Sequence, residues 1–335
     1  MGEYLGAGIA PVVEKMILYG AGEGNVLPLT SVCNVRCVFC SHRNNPPGVE
    51  VYRIPPRSLE DVERTLCVLD PVKPIVVGES ATRIIEGEPF THPALEEILR
   101  MIRSSFPRTA IQITTNGSLL NQEKVELLES LGNVVIYLSL NSARVKGREV
   151  LMADPRGLQA IQSAALLQKH GVPFHGSVVA LPHLVGWKDL KETIKYLCAC
   201  GAETVRVFLP GFSSLAGPEL QFESFLWKEV GAFISRLRED VRTPITCEPP
   251  LIEGLQPEVA GVIATSPADL AGIRAGDVIE AVNSSSVHTR VQAFRQILKA
   301  GMPRLKLKRG SNTFTVQVQK EPGQRSGLVM DYDLD

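Results

Sequence analysis

Between Ser58 and Leu209 the chain alternates short apolar runs with amphipathic stretches of helical period, and no other feature restricts the fold as much. Helices are predicted from Ser58, an N-cap with Glu60 and Asp61 in the first turn, to about residue 69, and then over 94–103, 122–131, 157–170 and 190–199. The apolar runs between them, 74–77, 110–114, 134–140, 174–180 and 204–209, have strand length, and the run 26–29 precedes them as a candidate first strand. Strands and helices in turn imply βα units and a parallel sheet. Six strands predict a partial (β/α)6 parallel barrel over residues 1–240, α/β in class, with its chemistry in the loops at the C-terminal strand ends. Residues 1–24 form an amphipathic lead in which Val12, Val13, Met16 and Ile17 share helical spacing, suited to covering one end of the core.

The loop that follows the run 26–29 reads Cys33-Asn34-Val35-Arg36-Cys37-Val38-Phe39-Cys40. Three thiolates from one short loop can hold three irons of a four-iron, four-sulfur cluster and leave the fourth iron without a protein ligand. Such an open corner can bind a cofactor or substrate directly. A structural zinc site is the alternative, but zinc takes a closed set of four ligands, and residues 41–66 offer only His42. Three unrelated core cysteines are the other alternative, which Asn34 and Arg36 between them oppose.

The spacing CxxxCxxC, with an aromatic residue before the last cysteine, resembles the signature of the radical S-adenosylmethionine (radical SAM) superfamily. The resemblance implies that Cys33, Cys37 and Cys40 ligate the cluster and that S-adenosylmethionine chelates the open iron. One electron from the cluster then releases a 5′-deoxyadenosyl radical, and Phe39 packs near the adenine. Other strand ends carry the same likeness. Gly87-Glu88-Pro89 resembles the family motif whose glutamate binds the methionine amino group. Gly78-Glu79 follows its strand directly and competes for the role, so both glutamates stand as candidates. Thr114-Thr115-Asn116-Gly117 is similar to a family strand end, with Asn116 at an Asn-Gly turn. Ser139 and Asn141 project to one side and match the position used for the ribose or carboxylate of the cofactor, with Arg144 and Arg148 downstream. On the next strand His175 and Ser177 share a face. His175 is a candidate acid or substrate ligand, or a core histidine, and Val178, or its neighbour Val179, is placed at the adenine. Cys198 and Cys200 point apart on a helix, and with Cys247 they read as inert buried thiols rather than an auxiliary cluster. That reading disfavours the peptide-modifying subgroup with a cysteine-rich extension.

Leu220 to Asp240 reads as a last helix, and residues 241–251, with Pro244, Pro249 and Pro250, as a linker. Beyond it, Ser266-Pro267-Ala268, Ala271-Gly272-Ile273 and Gly276-Asp277-Val278-Ile279 together resemble a PDZ domain, a small β-rich module placed at 252–322 and followed by a tail at 323–335. PDZ domains bind a peptide C-terminus by adding it to a strand edge. The stretch 254–261, where the carboxylate loop is expected, lacks a Gly-Leu-Gly-Phe-like run, so a structural cap on the barrel is the other reading.

The chain of 335 residues has a formal charge of −1, against a nucleic-acid partner held by bulk electrostatics. Its early apolar stretch is broken by Glu14 and Lys15 and does not read as a signal peptide, and no run is long enough to span a bilayer. Seven cysteines, an odd number with three in one loop, fit a reducing compartment, so a cytoplasmic protein is expected. The combined reading is a radical SAM enzyme acting on a protein or peptide recruited through the PDZ-like domain, with a reductant such as flavodoxin or ferredoxin. A small-molecule cofactor-biosynthesis step, with the PDZ-like domain docking a partner protein, and a non-catalytic iron–sulfur scaffold are the alternatives.

Overall fold

The computed structural model describes residues 10–40, 48–79, 82–210, 217–221, 224–250 and 254–331. In chain order the first elements are α1 (Ala10–Gly24), α2 (Leu59–Leu66), β1 (Ile75–Val77), α3 (Leu95–Ser105), β2 (Ile111–Thr115), α4 (Gln122–Leu131) and β3 (Val134–Ser139). Then follow α5 (Val145–Met152), α6 (Gly157–Lys169), β4 (Phe174–Val179), α7 (Pro182–Val185), α8 (Trp187–Ala199), β5 (Val205–Phe208), α9 (Ser224–Asp240) and β6 (Ile245–Glu248). The six strands form one sheet in the order β1-β2-β3-β4-β5-β6, with parallel pairing. Each central strand alternates fully buried with half-buried side chains, as in β3, where Val134, Ile136 and Leu138 are buried while Val135, Tyr137 and Ser139 are partly open.

The expected strand at 26–29 is a single parallel bridge, Val26 to Val76. Leu27 N donates to Val76 O at 2.8 Å, but Pro28 has no N–H and the ladder stops. The sixth strand instead lies inside the segment read as a linker. Pro244 and Pro249 flank Ile245–Glu248 and disguise it as a connection, yet Val205 N bonds to Pro244 O at 2.9 Å and Leu209 N to Glu248 O at 2.8 Å. Between β1 and Gly87, residues 82–86 run beside Tyr52: Tyr52 N donates to Arg83 O and Ile85 N to Tyr52 O, each at 2.9 Å. Val13 and Ile17 of α1 pack with Ile54 and with Ile84 of this segment, whereas Val12 faces solvent.

The described residues fall into two compact units. The first holds the elements from α1 to most of β4, then α7 and most of α8, together with residues 217–221; the second holds the end of β4, the end of α8, β5 and everything described from α9 onward. Within the second, β7 (Gly261–Val262), α10 (Pro267–Leu270), β8 (Val278–Val282), β9 (Ser285–Ser286), α11 (Arg290–Lys299), β10 (Arg304–Arg309), β11 (Asn312–Gln317) and β12 (Leu328–Val329) follow β6. They make a four-stranded sheet, β11-β10-β8-β9, and a two-stranded one, β12-β7, around Val259, Ile273, Ile279, Leu305, Leu307 and Leu328. The segment read as a tail is therefore structural up to its last described residue: β12 pairs antiparallel with β7, and Leu328 and Met330 belong to the core. Lys320 is buried and caps α11, its ammonium donating to the carbonyls of Ile297, Leu298 and Ala300.

Candidate functional site

Main-chain hydrogen bonds hold the cysteine loop from two sides. On one side, Gly87 N donates to Thr30 O at 2.7 Å and Glu88 N to Val32 O at 2.8 Å. Only glycine fits at position 87, because a Cβ there would overlap the Val32 carbonyl. On the other side, Arg36 N and Val38 N donate to Met152 O and Leu151 O at 2.7 and 2.9 Å. Carbonyls in the last turn of a helix have no partner within it, so the cysteine loop completes α5 while α5 fixes the loop.

Cys33 is exposed and Cys37 and Cys40 are half-buried, all as free thiols. Burial pushes the Cys37 thiol up to about 12; Cys33 and Cys40 push the same way, and Arg148 opposes them. Burial likewise raises Cys33, with Glu88 and Cys40 adding to the effect. Thiols that resist ionising together are a donor set that ionises when metal charge is supplied. The residues present thus fit an iron–sulfur cluster. Among the described residues no three His, Cys, Asp or Glu side chains converge closely enough to hold one metal ion, whereas the thiolates of a cubane each take a different iron.

Glu88 adjoins this loop and is buried. Its Oε1 accepts from Thr115 Oγ1 at 2.6 Å and Phe90 N at 3.3 Å, and its Oε2 accepts from Asn116 N at 2.8 Å. A carboxylate offers about four acceptor positions, so three donors leave room for one more. Burial pushes its pKa up, against the hydrogen bonds from Asn116, Thr115 and Phe90 and the charge of Lys124. A further cation would stabilise the ionised form. Glu79, the competing glutamate, is exposed and accepts from Thr114 Oγ1 at 2.8 Å.

Asn116 ties strand end to cysteine loop: its Nδ2 donates to Asn34 Oδ1 at 2.9 Å, and its Oδ1 accepts from Ser118 N at 2.8 Å. Arg148, expected beside the cofactor, is fully buried and committed to protein groups. Its Nε donates to Asp154 Oδ2 at 2.7 Å, its Nη1 to Leu140 O, and its Nη2 to Asn116 O at 2.9 Å. Asp154 also accepts from Ser118 Oγ at 2.7 Å. Neither Ser118 nor Asp154 stands out in the sequence as a site residue; the Asn-Gly turn between Thr115 and Ser118 is the only local signal. Arg144 donates to Glu192 at the surface, through Nε at 2.7 Å.

The remaining expected residues divide. Asn141 is buried with φ 61°, and its Nδ2 donates to Ser139 O at 3.1 Å and meets Met152 Sδ at 3.5 Å, next to the carbonyl that holds Arg36. Ser139, on the half-open face of β3, is register partner to Ser177. His175 shares that face and stands 4.9 Å, centroid to centroid, from Tyr137, an aromatic neighbour not singled out in the sequence. Phe39 is half-buried in the loop. Val178 is fully buried and Val179 is the half-open member of the pair. Cys200 and Cys247 are buried and Cys198 half-buried, and burial raises the Cys198 and Cys247 thiols.

A model of the radical SAM superfamily matches residues 27–210, more than half of the chain. The chain belongs to the radical SAM superfamily. This family binds a four-iron, four-sulfur cluster and S-adenosylmethionine, and its named members here are enzymes. A PDZ domain model matches residues 258–309, so a PDZ domain follows the radical SAM core. Similar proteins include a GTP 3′,8-cyclase of Aquifex aeolicus, 31% identical over 129 residues, covering 38% of this chain and 37% of the relative. The subtilosin biosynthesis protein AlbA of Bacillus subtilis is 28% identical over 151 residues, covering 43% and 30%. A cofactor-modifying protein of the tungsten-containing aldehyde ferredoxin oxidoreductase of Pyrococcus furiosus is 27% identical over 188 residues, covering 54% and 49%. The chain thus matches less than half the length of each of these relatives. Among solved structures, Streptococcus suis SuiB bound to precursor peptide SuiA aligns with a TM-score of 0.49 at 15% identity, over 74% of this chain and 55% of that one.

Within the radical SAM core, Glu86 gives a test of the packing around Leu29 and Arg57. Burial pushes its carboxyl up to about 8, against the Leu29 amide and Arg57. The folded protein therefore holds this proton more tightly than the unfolded chain, and the stability it contributes is lost as pH rises from 4.5 through 8. Glu86→Gln is expected to flatten the fall of the melting temperature across that window. An unchanged slope in thermal melts at stepped pH would remove Glu86 from this role.

Proposed function

We propose that this chain is a radical SAM enzyme whose cluster is held by Cys33, Cys37 and Cys40, acting on a protein or peptide recruited by its PDZ domain. The observation that carries the reading is the three-thiol loop fixed between Glu88 and α5 in a chain of this family. When bound, the cluster and S-adenosylmethionine supply, on one-electron reduction, a radical able to abstract hydrogen from an unactivated carbon. Glu88, with one acceptor position open beside the loop, receives the methionine ammonium, whose charge supplies the missing cation. Ser139 and Asn141 stand at the strand end suited to the ribose or carboxylate. Arg148 acts by shaping the Asn116 turn rather than by touching the cofactor. A reductant of the flavodoxin or ferredoxin type and a reducing cytoplasm suit a chain whose cysteines are all free.

Likeness to both AlbA and a GTP 3′,8-cyclase keeps two substrate classes in play, a polypeptide and a small molecule. The PDZ domain favours the polypeptide. A glycine-leucine pair, Gly327-Leu328, leads into β12 rather than lying near 254–261, and β12 pairs with β7. That supplies the strand a peptide end would extend.

The deciding experiment is anoxic reconstitution with iron and sulfide, followed by dithionite and S-adenosylmethionine. Formation of 5′-deoxyadenosine is expected, and its absence from a cluster-loaded sample retires the enzyme reading. Glu88→Gln removes the charge and keeps one of the two acceptor oxygens that Thr115 and Asn116 use, so S-adenosylmethionine binding to the loaded protein should weaken by roughly tenfold or more. Titration calorimetry reads this, and unchanged affinity would pass the role to Glu79. Recruitment is tested by peptides with free or amidated C-termini, since only the free carboxylate should compete with a polypeptide substrate.

A further inference from the structure

The outward face of the sheet β11-β10-β8-β9 carries a charge pattern that solvation alone does not explain. Strand β10 alternates buried Leu305 and Leu307 with exposed Arg304, Lys306 and Lys308, so all three outward positions are cationic. Alternate side chains on a strand stand about 6.7 Å apart on one face, close enough for like charges to repel. A solvated sheet face ordinarily relieves this with carboxylates on the neighbouring strand. Here the register partners on β11 are Gln317, Thr315 and Thr313, all neutral. On the other side Lys306 and Lys308 face Ala281 and Val278. Among the described residues two carboxylates border this face: Glu280, which bonds Lys306 at 2.9 Å, and exposed Glu258 at its margin, bridged to Val278 one strand away from Lys308. Edge protection, the common reason for lysines on a strand, does not apply, because β10 has a partner on each side. The same residues line a cavity of about 910 Å³ to which Ser284, Ser286 and Thr315 add hydroxyls.

We propose that this face is a docking surface for an acidic polypeptide segment in extended conformation, with carboxylates on alternate residues. An extended chain repeats its side chains at the spacing of Arg304, Lys306 and Lys308, and the hydroxyls around the cations suit carboxylate oxygens. Single-stranded nucleic acid matches the charge but is held by stacking on aromatic rings. Among the described residues lining the cavity there is no aromatic side chain other than the imidazole of His288. Phe314 points to the opposite face, beneath Arg309. The surface is distinct from the β12 edge, and it stands whether or not the radical SAM core is catalytic.

The test uses the full chain and fluorescein-labelled synthetic peptides read by fluorescence anisotropy. One peptide alternates Glu and Thr, one has the same composition with its glutamates in a block, and an oligothymidylate of equal charge is the third probe. The alternating peptide should bind several-fold tighter than the other two, and its affinity should fall with added salt. Arg304→Gln with Lys308→Gln should weaken it about tenfold, on the scale of two exposed ion pairs. Glu280→Gln should tighten it by about threefold, because it frees Lys306 and removes the carboxylate that competes for it. A variant that had merely lost its fold would not tighten. No binding, equal binding of the alternating and blocked peptides, tighter binding of the oligonucleotide, or indifference to these substitutions would each overturn the proposal.

Discussion

Cys37→Ser is expected to abolish cluster binding and to reduce 5′-deoxyadenosine formation by about a thousandfold or more, well inside the roughly millionfold or greater acceleration that enzymes contribute over the uncatalysed reaction. Serine is nearly isosteric but is a hard, weakly acidic ligand that does not replace a thiolate on iron. Two thiolates are too few to hold the cubane while keeping one iron open. The fold should survive, because the loop is held by the amides of Arg36 and Val38 on Met152 and Leu151 and not by the thiol. Cys67→Ser serves as the control: that thiol is exposed at the end of α2 and its near contact is the Glu63 carbonyl at 3.7 Å. Iron and sulfide analysis, the visible absorbance of the loaded protein and product formation should all fall together for Cys37→Ser and stay unchanged for Cys67→Ser. Equal iron in the two variants would mean that the cysteine loop is not the ligand set. Cys247→Ala extends the comparison: iron should stay unchanged there, and a drop would expose an auxiliary cluster.

What the sequence shows of this architecture follows from how local each feature is. Strands β2, β3 and β4 and helix α4 come out almost residue for residue, because their apolar period and their turns are written within each segment. Strand β6 has four residues between prolines and is recognisable only through Val205 and Leu209, which lie far away in the chain. Strand β12 is shorter still and depends on β7 for its pairing. The same limit governs the site. Cysteine spacing is a local signal and identifies the loop. The choice between Glu79 and Glu88 rests on how residues 82–86 pair with Tyr52 and how Gly87 meets Thr30, both long-range facts. Arg148 shows the limit most sharply. A sequence displays its charge downstream of a strand end, which suits a cofactor ligand, but not that Leu140, Asn116 and Asp154 surround it. The parity of β4 is legible, yet which of Val178 and Val179 is enclosed depends on what packs behind the sheet.

Arg148→Met is expected to destabilise the protein by about 3–5 kcal/mol, the usual consequence of removing one partner of a buried ion pair. Both side chains of the Arg148–Asp154 pair have no exposure, and their closest approach is 2.6 Å. Methionine fills much of the volume but leaves the Asp154 carboxylate in a dry interior with Ser118 Oγ and the Arg156 amide as its remaining donors. It also strips the guanidinium donors from Leu140 O and Asn116 O. Burial already lowers the pKa of Arg148, and Asp154 opposes that shift, so the pair persists because each charge needs the other. Adding Asp154→Asn to Arg148→Met should recover part of the loss, since no uncompensated charge then remains. Denaturant melts of the wild type, both single variants and the double variant measure the coupling as a double-mutant cycle. A coupling energy near zero would show that the pair acts independently and that the Asn116 turn is held by other means. If the coupling is large, the double variant should also retain more iron than Arg148→Met alone. The Asn116 turn that meets Asn34 depends on this buried pair, and Asn34 lies between the first two cysteines.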